Sequence, residues 1–147
     1  MISAQTHKQR RTQLEQDMGR PILLMGNGDR ARNLPMSPLP FRQDSTFLYF
    51  TGCTTPGAAA LLVDGGCTLF LPPATDDDPL WHGPMPSPAE MQSMLGVDDV
   101  RPDSDLADAI EAYSGDRKAD VAVLAVADEN RNRLASELTG HALRFGQ

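Results

Sequence analysis

From Ser3 to Met18 the chain reads SAQTHKQRRTQLEQDM, a run of strong helix formers with few apolar positions, chiefly Leu14 and Met18 on one face. This pattern predicts a mostly solvated helix held along one seam. After Gly19, the stretch Pro21–Gly26 (PILLMG) is short, apolar and bounded by Pro and Gly, which favours a buried strand over a helix. Ala58–Asp64 and Cys67–Leu71 form a second apolar pair, separated by Gly65-Gly66. With Asp64-Gly65-Gly66 as turn chemistry, this pair predicts a β-hairpin.

Between the first strand and the hairpin, Pro35, Pro38 and Pro40 prevent a long helix and favour an extended path. Phe47-Leu48-Tyr49-Phe50 then concentrates four large apolar side chains in one turn, expected to enter the core. Downstream, Ser87–Leu95 has Ser before Pro and Glu three positions on, a helix start, with Gly96 as the stop. Asp105–Tyr113 places Leu106, Ile110 and Tyr113 at helical spacing. Asp120–Ala127 (DVAVLAVA) reads as a buried strand, Asp128–Leu138 as a helix, and HALRF from His141 as a last strand. A hairpin early and strand-helix alternation late imply an α/β domain with a mixed sheet flanked by helices.

The length of 147 residues suits one domain with a sizeable core. A net charge of -7 repels phosphate backbones and anionic lipid heads, so neither nucleic acid nor a membrane is an expected partner. The longest apolar runs, Ala58–Val63 and Val121–Ala127, fall far short of a bilayer span, and MISAQTHKQRR has no signal-peptide core. A cytoplasmic protein is expected, with Cys53 and Cys67 as free, buried thiols.

Candidate chemistry is sparse. Gly26-Asn27-Gly28-Asp29-Arg30-Ala31 matches a dinucleotide fingerprint after a strand, but Asn33-Leu34-Pro35 interrupts any following helix, so these glycines read as turn residues. His7, His82 and His141 are widely separated and form no metal-ligand spacing. Asp76-Asp77-Asp78 is the densest carboxylate run, and adjacent residues on a Pro-flanked loop diverge, as expected of a solvated loop. Cys53 is a nucleophile only if the fold brings His82 or His141 to it; otherwise it is a small buried hydrophobe. Trp81, the single Trp, lies in a Pro/Gly-framed loop and either packs over the sheet end or offers a rigid face to a small apolar group. Asp44 or Ser45 is placed to cap the turn at Thr46–Phe50, and Arg42 to meet an acid or a carbonyl; a structural role is expected of all three.

Four segments taken together resemble the N-terminal domain of aminopeptidase P (Xaa-Pro aminopeptidase). They are Phe41-Arg42-Gln43-Asp44-Ser45-Thr46-Phe47-Leu48-Tyr49-Phe50-Thr51-Gly52, Pro56–Leu62, Thr68–Pro73 and Leu80-Trp81-His82-Gly83. The opening helix with Arg10-Arg11, Leu14 and Met18, followed by Ile22-Leu23-Leu24, is also similar to that family's start. The resemblance implies a ribonuclease H-like α/β fold and a structural motif of Arg42, Asp44, Ser45, Tyr49 and Gly52. It further implies a two-domain parent whose C-terminal pita-bread domain carries two manganese ions and all of their ligands. Residues 1–147 are then a single N-terminal domain lacking the catalytic one, with no catalytic residue, metal or cofactor of its own. Its expected partners are that C-terminal domain and other copies in a homo-oligomer, and the parent's substrate is a proline-containing peptide. The resemblance assigns Trp81 a substrate-facing role toward a neighbouring subunit.

Three readings follow. The first is the non-catalytic N-terminal domain of a Xaa-Pro aminopeptidase, serving oligomer assembly and restriction of substrate access, with a prolidase- or creatinase-like parent as its variant. The second is a free-standing binding or oligomerisation module. The third is a self-contained cysteine hydrolase built on Cys53.

Overall fold

The structure is a computed structural model, and it describes residues 3–28, 42–72, 87–114, 120–126 and 128–141. In chain order the elements are α1 (Ala4–Met18), β1 (Ile22–Met25), α2 (Ser45–Thr51), β2 (Ala59–Val63), β3 (Gly66–Leu71), α3 (Pro88–Leu95) and β4 (Asp99–Pro102). A 3-10 turn (Asp103–Asp105), α4 (Leu106–Ser114), β5 (Ala122–Val123) and α5 (Glu129–Thr139) complete the described chain.

One five-stranded sheet, ordered β4-β3-β2-β1-β5, organises them. β2 pairs antiparallel with β1 and with β3, while β4 on β3 and β5 on β1 are parallel, so the sheet is mixed. Alternate strand residues feed two cores. Ile22, Leu24, Ala60, Leu62 and Leu69 meet Phe47, Met91 and Leu95 on one face, and Leu23, Met25, Leu61 and Phe70 meet Leu106, Ile110 and Ala135 on the other. Helices on both faces explain why every residue of β1 is buried and why its sequence shows no polar alternation.

The hairpin forms as its turn chemistry predicts. Val63 pairs with Gly66 across Asp64 (φ 51°) and Gly65 (φ 82°), the two positive-φ positions that Asp-Gly supplies in a type I′ turn. Ser87 caps α3 through Glu90 N and Gly96 ends it in the left-handed region, while Asp128 caps α5 through Asn130 N and Arg131 N.

Four expectations are corrected. α1 is held by His7, Arg11 and Leu14, while Met18 is exposed. Of the Phe47–Phe50 cluster only Phe47 enters the core completely, and Tyr49 remains 51% exposed. A short helix has one inward direction, so four consecutive side chains cannot all share it. The strand expected over Asp120–Ala127 pairs only at Ala122–Val123, and Leu124 is 55% exposed because the ladder with β1 ends there. In α4, Leu106, Ala109 and Ile110 turn inward and Tyr113 turns out. The edge strand β4 (DVRP) was not expected, because its polar residues and terminal Pro read as loop; at a sheet edge both are tolerated. Beyond His141, the proposed last strand lies outside the described residues.

Candidate functional site

The segment from Arg42 to Gly52 is a backbone organiser. Gln43, only 6% exposed, accepts from Asn27 N (2.8 Å) and Asp44 N (3.0 Å) through Oε1, and donates through Nε2 to the carbonyls of Cys53 (3.3 Å) and Thr55 (3.1 Å). One amide thus ties the end of β1 to both sides of α2. Asp44 is the N-cap of α2, its Oδ2 accepting from Phe47 N at 2.9 Å, and Ser45 is the exposed first residue of that helix. Thr51 closes the other end, donating to Phe47 O (2.8 Å) and accepting from Cys53 N (3.0 Å). Arg42 contributes its carbonyl to Asn27 Nδ2 at 3.1 Å.

The carbonyl end of α2 meets the cations of α1. The Tyr49 carbonyl accepts from Arg10 Nη1 (3.0 Å) and, having no proton to give, from His7 Nδ1 (3.0 Å), and the Arg10 guanidinium lies 3.9 Å from the Tyr49 ring centroid. Arg11, 4% exposed, donates to Phe50 O (2.9 Å) through Nη1 and to Leu95 O (3.4 Å) and Gly96 O (2.7 Å) through Nη2. It therefore closes two helix C-termini at once. Gly52 (φ 70°) is required for this approach, since a Cβ there would sit 2.6 Å from His7 Nε2.

At the opposite end of the sheet core, α5 supplies a second clamp. Asp128 Oδ2 accepts from Gly28 N at 3.0 Å, and Arg131 donates to Gly26 O (3.0 Å), Gly57 O (3.0 Å) and Ala58 O (2.9 Å). Burial lowers the Arg131 pKa, with Asp128 and then Asp103 opposing that shift. The backbone amides of Gly26, Asn27 and Gly28 are all engaged within the fold, the last by a carboxylate, which is the opposite of a phosphate cradle.

Neither thiol is activated. Burial raises the Cys53 pKa, two interactions with Thr55 opposing it, and burial pushes Cys67 up to about 12. Both cysteines are free and buried, and His141 is occupied with the Val121 carbonyl at 3.1 Å. Trp81, His82 and Asp76-Asp77-Asp78 lie outside the described residues. Among the described residues, no three His, Cys, Asp or Glu side chains converge as a metal site would require, and no helix is long and apolar enough to cross a membrane.

Sequence reasoning missed Gln43, Asp128 and Arg131. Gln43 was visible only as a member of a motif, and nothing local marks a glutamine as the residue that bridges a strand end to a helix. Asp128 and Arg131 lie 73 to 105 residues from the strand-end backbone they hold, although Asp128 before a helical run was a readable cap signal.

The described residues thus define an α/β domain whose buried polar side chains hold backbone groups. The aminopeptidase P N-terminal domain matches over residues 7–122, and the chain belongs to that family. Among curated relatives, the probable Xaa-Pro aminopeptidase pepP of Penicillium rubens is 32% identical over 93 residues, 62% of this chain and 20% of that protein. The mitochondrial intermediate cleaving peptidase 55 of Arabidopsis thaliana is 37% identical over 70 residues, 47% of this chain and 14% of that protein. Escherichia coli aminopeptidase P in its low-pH form superposes with a TM-score of 0.68 at 27% identity, over 78% of this chain and 28% of that one. Pseudomonas aeruginosa aminopeptidase PepP shares the fold with a TM-score of 0.76 at 24% identity, over 93% of this chain and 32% of that one. The chain therefore spans about a fifth of the fungal relative and is an N-terminal domain of Xaa-Pro aminopeptidase-like proteins.

Proposed function

We propose that this domain is the accessory, non-catalytic part of a cytoplasmic, metal-dependent Xaa-Pro aminopeptidase, acting by assembling oligomers and narrowing access to a catalytic centre in a C-terminal domain. The observation that carries the reading is the family match over residues 7–122, joined to a polar interior whose described groups hold backbone. In this reading residues 1–147 form one domain. The C-terminal domain holds two manganese ions that activate water for attack on the peptide bond preceding proline. The domain contributes shape: a docking surface for that catalytic domain and for other copies, and a Trp81 loop offering an apolar face to the proline of a substrate bound in a neighbouring subunit.

Manganese titration calorimetry on the purified chain, run beside a Xaa-Pro peptide hydrolysis assay, tests the reading. Neither saturable binding nor turnover is expected, and contaminant-free turnover would overturn it. In the two-domain polypeptide, Trp81→Ala should raise KM for Xaa-Pro peptides with thermal stability unchanged. An unaltered KM removes the substrate role of Trp81.

A further inference from the structure

Asn27-Gly28 is the one Asn-Gly step in the sequence, a dipeptide prone to cyclise because glycine puts no side chain in the way of attack by its own backbone nitrogen. We propose that this step is a deamidation site held shut by the N-terminal turn of α5. In the reaction the Gly28 nitrogen forms a bond to Asn27 Cγ and the Cγ–Nδ2 bond breaks. Ammonia leaves, carrying the two Nδ2 hydrogens and the proton lost by Gly28. Water then opens the resulting succinimide at either carbonyl, giving aspartate or isoaspartate.

Each requirement of that reaction is opposed by a contact. The Gly28 N–H is bound to the Asp128 carboxylate at 3.0 Å, so the nitrogen is not free to turn toward Cγ, and negative charge developing on it would face an anion. Asn27 itself is pinned on three sides: its N–H by Gln43 Oε1 at 2.8 Å, its carbonyl by Gly57 N at 2.9 Å, and its Nδ2 by the Arg42 carbonyl at 3.1 Å.

The contact on the attacking nitrogen is released by α5. Asp128 is buried and bound to Asn130 N and Arg131 N, and Arg131 on the same turn holds the carbonyls of Gly26, Gly57 and Ala58. Lifting this turn frees the Gly28 nitrogen and loosens both strand ends together. Deamidation then makes the opening one-way, because a carboxylate at position 27 has no N–H to return to the Arg42 carbonyl and adds negative charge beside Asp128.

The test compares the folded chain with a synthetic peptide spanning residues 22–32 at mildly alkaline pH, following aspartate and isoaspartate at position 27 by peptide mapping and mass spectrometry. The folded chain should react at least about tenfold more slowly, as expected of a site reached only through local opening. Asp128→Ala should move the rate toward that of the peptide, whereas Asn130→Ala, an exposed side chain on the same turn, should not. Equal rates in chain and peptide, or a slow rate untouched by Asp128→Ala, would overturn the proposal. Should Asp128→Ala fail to fold, the wild-type rate in urea decides. A rise well below the global unfolding transition supports release by the α5 turn, and a rate that follows only global unfolding sinks it.

Discussion

Two arginines on opposite sides of this domain do the same work in different electrostatic settings. Arg11 on α1 takes the carbonyls of Phe50, Leu95 and Gly96, and Arg131 on α5 takes those of Gly26, Gly57 and Ala58. The carbonyls that Arg11 receives belong to the C-terminal ends of α2 and α3, where aligned peptide dipoles already present partial negative charge. Arg131 faces the ends of β1 and β2, and antiparallel strands carry little net dipole. There Asp128 on the same helical turn raises the Arg131 pKa that burial lowers, while Glu15 and Asp98 line the same cavity as Arg11. A guanidinium can leave water at either place because its planar fork satisfies several carbonyls at once, and what differs is whether those carbonyls belong to helix ends or strand ends.

The largest expected effect comes from removing the cation where helices converge. Arg11→Met should destabilise the domain by about 3 kcal/mol in urea titration, since it leaves buried carbonyls at two helix ends unpaired. Arg131→Met should cost less, about 2 kcal/mol, because its site is only part-buried. Arg131→Lys should recover little of that loss, as one ammonium cannot reproduce the fork. Equal losses at the two sites would break the comparison. The glycine at the helix side sharpens it: Gly52→Ala, forced against His7 at positive φ, should cost about 2 kcal/mol, while Gly65→Ala, also at positive φ but in open space, should cost about 1 kcal/mol. The smallest effect at neutral pH concerns Cys67. Its folded pKa is raised from 9.0 to about 12, so its protonated thiol contributes stability that is fully present below pH 9.0 and is lost as pH rises toward 12. Cys67→Ala should flatten the fall of stability across that window in alkaline unfolding curves.

Local chemistry was readable wherever a few adjacent residues decide the outcome. Asp64-Gly65 supplies two positive-φ positions and hence the hairpin, Ser87-Pro88 with Glu90 starts α3, and Gly19 and Gly96 stop helices at left-handed φ. Readability failed where burial depends on distant partners. α1 offers Leu14 as its one readable core contact, because its fully buried residues are His7 and Arg11, polar groups that become core residues only when the ends of α2 and α3 arrive. β4 is a strand because β3 offers it an edge, through pairs such as Leu69 with Val100, and its own composition argues against one. Of the motif residues, Asp44 caps its helix by a contact three positions along the chain, whereas the Tyr49 carbonyl and Gly52 acquire their partners 39 and more residues away in α1.

The sequence by itself determined the α/β class, the hairpin, most helix boundaries and, through the Arg42–Gly52 and Leu80–Gly83 motifs, the resemblance to the family. These rest on periodicity, capping and turn preferences, which act within a few residues. Only the tertiary structure decided which polar side chains lie inside and what they hold. Gln43, Arg11 and Arg131 are ordinary surface residue types until separate segments present backbone carbonyls to them. Burying such residues is favourable only when all of those segments have come together.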